Sequence, residues 1–316
     1  MGEKMINSRV RMETIGAEAD DQRIDNYLLR QLKGVPRSHV YRILRRGEVR
    51  VNGGRIKPVY RLRVGDKVRI PPVRTASAAP LPVLGREQKQ QLSAAVIYED
   101  DRLLVINKPS GLAVHGGSGI SLGVIERLRL ARPQQKGLEL VHRIDRETSG
   151  LLMIAKRRSA LRRLHELQRQ HAIQKTYLAL VHGDWPQNRM QVDVPLKKNQ
   201  AQGGGRLVTP HPDGKEALTF FRIKEEFAEA MLVEAVLKTG RTHQIRVHAQ
   251  YLGTPILGDS KYADEKTRQL SRRLGLKRLF LHAGKLSFPW GESGERLQLQ
   301  APLEQPLVDI LSQLRN

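Results

Sequence analysis

The chain has 316 residues, no cysteine and a formal net charge of +23, from 55 Lys and Arg against 32 Asp and Glu. That length supports a sizeable core and a small second domain. The lack of thiols excludes disulfides, thiol nucleophiles and Cys-ligated zinc. No apolar run approaches the roughly 20 residues needed to span a bilayer, and no signal-peptide core follows Met1. So large a positive charge points to an anionic polymer, held through counterion release and electrostatic steering. With aromatic residues at 4 %, wide base stacking on aromatic side chains is not expected, and charge and backbone shape should dominate binding. A cytoplasmic protein with a nucleic-acid partner fits best.

Residues 1–19 are polar, lack periodicity and read as a flexible arm. From Asp20 the pattern becomes regular. Ile24, Tyr27, Leu28 and Leu32 recur at helical spacing, and residues 38–44 form a second helix marked by Val40, Ile43 and Leu44. Gly47 is placed to stop it. Residues 49–56 read as two short strands around an Asn52-Gly53 turn, and residues 64–70 as a last strand. Between Asp20 and Arg74 there are 15 Lys and Arg against 5 Asp and Glu. Arg37, Arg42, Arg45 and Arg46 cluster on the second helix and Arg50 follows on the strand; by themselves they are either an RNA grip or a solvated basic face. The order helix, helix, Gly, strand, Asn-Gly, strand over residues 20–74 resembles the S4 RNA-binding domain, which implies the RNA role for these arginines.

Residues 75–92 are Pro- and Ala-rich and read as a semi-stiff linker, leaving 93–316 as a second domain. There, residues 96–98, 103–106, 177–181 and 231–237 look like strands, and 122–130 and 160–167 look helical. Without strict βαβ alternation, this predicts an α+β fold with a mixed, largely antiparallel sheet.

Four stretches stand out within it. Asn107-Lys108-Pro109-Ser110-Gly111 leaves a strand into a Gly-rich loop, but no Gly-Lys-Ser/Thr ending follows, so a nucleotide triphosphate site is not expected. His142-Arg143-Ile144-Asp145-Arg146-Glu147-Thr148-Ser149-Gly150 sets Asp145 between two arginines. Positive neighbours favour an ionised carboxylate, which suits a nucleophile or base, although a salt-bridge anchor has the same signature. Lys175-Thr176-Tyr177 opens an apolar strand, with Tyr177 either a core residue or a flat ring for a displaced base. Gly240-Arg241-Thr242-His243-Gln244-Ile245-Arg246-Val247-His248 reads as a strand, with Arg241, His243, Ile245 and Val247 on one face and Thr242, Gln244, Arg246 and His248 on the other. Neither face is clean. No His, Cys or Glu cluster supports a metal site; instead an arginine of this stretch is expected to hold Asp145 by a charge-assisted hydrogen bond.

In this order and spacing the four stretches resemble the RluA-type RNA pseudouridine synthases, over nearly the whole chain and most closely the subgroup acting on large-subunit (23S) ribosomal RNA. The resemblance implies that Asp145 is the catalytic aspartate, Arg246 its paired arginine and Tyr177 the ring beside the target base. It also implies that Arg143 fills the stack the base leaves, with His142 and Arg241 as further substrate contacts. The reaction breaks N1–C1′, turns the uracil and joins C5 to C1′. Nothing is oxidised and no group is donated, so no cofactor, metal or nucleotide is expected. RNA is the expected partner and a monomer the expected state. The rivals are a non-catalytic RNA-binding or ribosome-assembly protein and the same reaction on tRNA. Residues 261–278 carry seven Lys and Arg and read equally as a basic insertion that grips RNA or as a solvated helix.

Overall fold

A computed structural model describes residues 10–32, 34–73, 84–116, 122–186, 190–200, 206–291 and 294–316. The chain divides into two compact units, Met1–Val83 and Leu84–Asn316.

The first unit contains β1 (Arg11–Thr14), a 3-10 turn (Ala17–Ala19), α1 (Ile24–Gln31), α2 (Arg37–Arg45), β2 (Arg50–Val51), β3 (Gly54–Arg55) and β4 (Lys67–Ile70). Its antiparallel sheet runs β1-β4-β2-β3. The helical stripes Ile24, Tyr27, Leu28, Leu32 and Val40, Ile43, Leu44 are buried with Val49, Val51, Leu62, Val68 and Ile70. Asn52 and Gly53 turn between β2 and β3 at φ 51° and 81°, as a two-residue hairpin turn requires. Buried Asp25 ties α1 to α2 by accepting hydrogen bonds from Arg23 Nη2 at 2.7 Å and Tyr41 Oη at 2.9 Å. Arg37, Arg42, Arg45, Arg46 and Arg50 are all exposed.

One expectation is corrected here. Residues 11–19 are not an arm: β1 pairs with β4 from Arg11↔Ile70 to Thr14↔Lys67, and Ile15 and Ala19 are buried. Arg-Met-Glu-Thr forms an edge strand held by backbone hydrogen bonds, so it carries no apolar alternation to read. Residues 1–9 and 74–83, the remainder of the expected arm and much of the expected linker, lie outside the described residues. The rest of the expected linker is largely helical, α3 (Arg86–Ala94), with Leu92 packed into the core.

The second unit continues with β5 (Val96–Glu99), β6 (Leu103–Lys108), α4 (Val124–Ala131), β7 (Glu139–Leu140), β8 (Ser149–Ala155), α5 (Arg158–Arg169), β9 (Gln174–His182), β10 (Gln191–Asp193), β11 (Leu196–Gln200) and β12 (Arg206–Pro210). Then follow β13 (Leu218–Glu226), β14 (Ala230–Leu237), α6 (Gln244–Tyr251), α7 (Glu265–Arg273), β15 (Leu281–Pro289), β16 (Arg296–Gln300) and α8 (Gln305–Arg315). Ten strands form one sheet in the order β10-β13-β14-β9-β15-β8-β6-β5, with β16 on β15 and β7 on β8. Every pairing is antiparallel except β15 with β8. The fold class is therefore the α+β expected.

Period-2 alternation sorts the strands between two cores. Leu104, Ile106, Leu152 and Ile154 face one, with α4 and α8; Leu103, Val105, Leu151, Met153 and Ala155 face the other, with Leu161, Leu164 and Leu167 of α5. Every residue of β8 is buried, which explains its unbroken apolar run. At its start, a Cβ on Gly150 would meet Ala283 O at 2.3 Å, so only glycine lets β15 approach this closely. The loop in front of Gly150 carries Asp145.

Candidate active site

Asp145 lies between β7 and β8, on a loop anchored by the 107–111 motif. Lys108, with no exposed surface, donates its three ammonium hydrogens to Pro109 O at 2.8 Å, Leu112 O at 2.9 Å and Arg146 O at 3.1 Å. Burial pulls its pKa down to about 7, against which the three carbonyls favour the cation. Ser110 Oγ donates to Glu147 O at 2.7 Å, and Gly111 N–H and Arg146 Nε cross-link the two loops at 2.8 and 3.0 Å. A stretch that reads as a plain loop thus braces the residues beside Asp145. Its signal was a lysine close behind the apolar run Leu103–Ile106.

The 240–248 stretch is a turn followed by α6, not a strand. Gln244 organises the turn: its Oε1 accepts from Arg241 N at 2.9 Å and Thr239 Oγ1 at 2.8 Å, and its Nε2 donates to Leu218 O at 3.0 Å. Residues 244–249 are all buried, and a helix buried all round gives no clean face at period 2. His248 is spent on structure, bonding Thr219 Oγ1 at 2.9 Å and Val194 O at 3.1 Å.

This helix delivers Arg246 to Asp145 as an ion pair rather than by the hydrogen bond expected. Both strong donors are taken by Asp259: Nε to Oδ2 at 2.7 Å and Nη2 to Oδ1 at 2.6 Å. Asp259 is in turn fixed by the N–H groups of Lys261 and Tyr262 at 2.8 and 3.0 Å. Arg246 Nη1 stands 3.8 Å from Asp145 Oδ2, and Nη2 stands 3.5 Å from Glu147. Burial opposes the guanidinium's charge, and the hydrogen bonds and carboxylates around it outweigh burial and raise its pKa. With side-chain exposures of 1 % for Arg246, 0 % for Asp259 and 18 % for Asp145, the first two form a buried scaffold and the third faces the cavity. Among the described residues no donor hydrogen-bonds the Asp145 carboxylate. It feels a fixed cation while its lone pairs stay free.

The cavity, of about 400 Å³, lies where β9 begins and β14 ends. Asp145, Arg246, Tyr177, Arg143, His142 and Arg241 all line it, so the structure gathers every site residue expected from the second domain. Asp145 is the one acidic side chain in the lining, against Arg143, Lys175, Lys238, Arg241 and Arg246. Tyr177 is buried, and burial and the Asp145 charge both raise its hydroxyl pKa. His142 braces β8 by accepting the Met153 N–H at 3.2 Å, and burial holds its pKa well below the ordinary value. Lys175 shares the Tyr177 face of β9, and burial lowers its pKa to about 8. Asp259, Tyr262, His243 and Lys175 were not singled out as site residues from sequence. Only position in the fold reveals the first two, because both lie beyond the motifs.

The basic stretch 261–278 splits. Arg272 pairs with Glu265 at 2.7 Å and Arg273 with Glu229, while Arg278 turns inward to Glu304 and Ser149. Lys261, Lys266 and Lys277 remain exposed.

A lone carboxylate among cations, on a largely antiparallel sheet and preceded in the chain by a small basic unit, fits an RNA-modifying enzyme. Family comparison agrees. Residues 102–251 match the RNA pseudouridylate synthase model and residues 22–68 the S4 domain. The chain is 53 % identical over 314 residues to the ribosomal large subunit pseudouridine synthase C of Pasteurella multocida (strain Pm70), covering 99 % of this chain and 96 % of that protein. It is 53 % identical to the protein of the same name from Escherichia coli (strain K12), covering 97 % of each. Among solved structures it resembles human RNA pseudouridylate synthase domain containing 4, with a TM-score of 0.60, 28 % identity and coverage of 72 % of this chain and 97 % of that one. The chain belongs to the RNA pseudouridylate synthase family, enzymes that isomerise uridine within RNA.

Proposed function

We propose that the protein converts specific uridines of large-subunit (23S) ribosomal RNA to pseudouridine, with Asp145 as the catalytic carboxylate acting on an everted nucleotide. The observation that carries this reading is the cavity itself: one carboxylate, unencumbered by hydrogen bonds, ringed by cations suited to a phosphate backbone. The substrate assignment leans on the names of the near-full-length relatives.

Isomerisation sheds the C5 proton and gains one at N1, so its balance needs no second reactant. One carboxylate is enough to attack or to take a proton. Glycoside hydrolases pair two carboxylates to deliver water; here the detached base has to be kept, and exclusion of water matters more. Everting the nucleotide costs about a few kcal/mol. Exposed Arg143 at the cavity is placed to enter the vacated stack and offset that cost, and Tyr177 offers a ring to the displaced base. The exposed arginines of α2 would add phosphate contacts. We propose that it acts as a monomer. Among the described residues no helix is long and apolar enough to cross a membrane, in keeping with action in the cytoplasm on ribosomal RNA.

The test is to incubate the protein with transcribed large-subunit rRNA and with tRNA, then map pseudouridine by carbodiimide labelling and mass spectrometry. Discrete new sites in the rRNA are expected. Sites in tRNA alone would replace the substrate, and binding without any product would leave an RNA-binding scaffold.

A further inference from the structure

Resting on the reading of Asp145 as the catalytic carboxylate, we infer that His243 is a positioning residue for it: a neutral imidazole whose Nε2–H is aimed at the carboxylate because Tyr262 occupies the other ring nitrogen. His243 Nε2 lies 3.9 Å from Asp145 Oδ2. Its Nδ1 lies 2.8 Å from Tyr262 Oη, and the same phenolic oxygen accepts the Val208 N–H at 3.0 Å. A phenol has one proton to give. The Val208 amide is itself a donor, and among the described residues His243 Nδ1 is the one acceptor partnering the buried phenol, so the proton goes to it, and a neutral ring that accepts at Nδ1 carries its hydrogen on Nε2. The tautomer follows from the network.

The surroundings hold this arrangement. Tyr262 is buried among Leu196, Val208, Ala217 and Val247, and its ring meets that of His243 edge-on, with centroids 5.5 Å apart at 76°. His243 adopts φ 55° immediately before α6, a left-handed conformation that a non-glycine residue keeps only where its neighbours dictate it. Facing the ring are Asp145 and Asp259, which favour its cation, and Arg246 and Lys261, which oppose it. Burial is the largest influence and sides with the latter, lowering the pKa to about 4.

Two consequences follow. First, His243 offers a donor at Nε2 and no free lone pair, so it is no base, and proton acceptance in the cavity stays with Asp145. Second, Arg246 and His243 approach the carboxylate at 3.8 and 3.9 Å, each about 1 Å short of a hydrogen bond. Held at that distance, they orient the carboxylate and keep it ionised while leaving its lone pairs to the reaction.

Long-range 1H–15N NMR of the full-length protein reads the tautomer directly, with His243 signals assigned by their loss in His243→Gln. The Nε2–H pattern, neutral from pH 8 to pH 5.5, is expected; an Nδ1–H pattern or a cationic ring at neutral pH would overturn the inference whatever the fate of the catalytic reading. Kinetics separate positioning from backbone strain. Asn suits left-handed backbone better than Gln, but its amide nitrogen falls at the Nδ1 place, whereas that of Gln reaches the Nε2 place. His243→Gln should therefore turn over about tenfold faster than His243→Asn at saturating RNA, with equal RNA affinity. Asn equal to or faster than Gln, or a loss confined to RNA affinity, would assign His243 to structure or to RNA contact. An active Asp145→Asn enzyme would instead sink the catalytic reading and leave the tautomer standing.

Discussion

Asp259→Asn probes the scaffold behind the site. Asp259 and Arg246 are an ion pair with essentially no solvent exposure, and removing one partner of such a pair costs about 3–5 kcal/mol because a buried charge is left unmatched. Asn preserves the shape and one oxygen for the Lys261 and Tyr262 amides, and Glu147 and Asp145 remain 3.5 and 3.8 Å from the guanidinium. The loss should therefore fall near the lower end, about 3 kcal/mol. The released guanidinium would then close on Asp145, binding the lone pairs the reaction uses and pulling the carboxylate by about 1 Å, a displacement worth about 100-fold in rate. Denaturant unfolding gives the first quantity; single-turnover pseudouridine formation at saturating RNA gives the second. Wild-type turnover in a protein that unfolds at the wild-type midpoint would refute the idea that Asp259 holds Arg246 off Asp145.

Four further outcomes are expected. Lys175 should lend its charge to RNA binding below about pH 8 and lose it above, weakening affinity about tenfold, the worth of one charged hydrogen bond; Lys175→Arg should abolish that dependence in a binding titration from pH 7 to 9. Because the unfolded chain keeps this proton up to the ordinary lysine value of 10.5, the unfolded state binds more protons between about 8 and 10.5, and folding stability should rise across that window in wild type but not in Lys175→Met. Lys108→Met should leave the Pro109 and Leu112 carbonyls without donors, while Arg146 O keeps the Gly111 N–H, costing about 1–3 kcal/mol for each and slowing turnover more than it weakens RNA binding. Replacing Arg42, Arg45 and Arg46 together by Gln should flatten the salt dependence of RNA affinity by nearly one unit of slope for each phosphate these arginines neutralise; an unchanged slope would remove α2 from the RNA interface.

Much of the architecture was legible because its cause is local. The α1 and α2 stripes, the Asn52-Gly53 turn and the apolar runs of β9 and β14 each carry their own periodicity or turn chemistry. β1 was not, since an edge strand of Arg-Met-Glu-Thr owes its place to pairing with β4 rather than to its own pattern. The 240–248 stretch misled for a related reason: α6 is buried on all sides and spends its polar residues on internal bonds. For the site, the family resemblance named Asp145, Tyr177 and Arg246, and the cavity gathers all three, while the bidentate partner of Arg246 is Asp259, which no motif contains. Asp259 follows a Gly in an unremarkable turn, and its role exists only once α6 lies against that turn. Lys108 read only as part of a strand exit, because its purpose depends on the carbonyl of Arg146, 38 residues away.

Product formation by Asp145→Asn, measured under single-turnover conditions with RNA affinity determined on the same preparation, bears most directly on the central claim. Asn is nearly isosteric and leaves every cation of the cavity in place, so binding should stay within a few-fold of wild type while pseudouridine disappears. Substantial pseudouridine from that variant would contradict the assignment of the chemistry to this carboxylate.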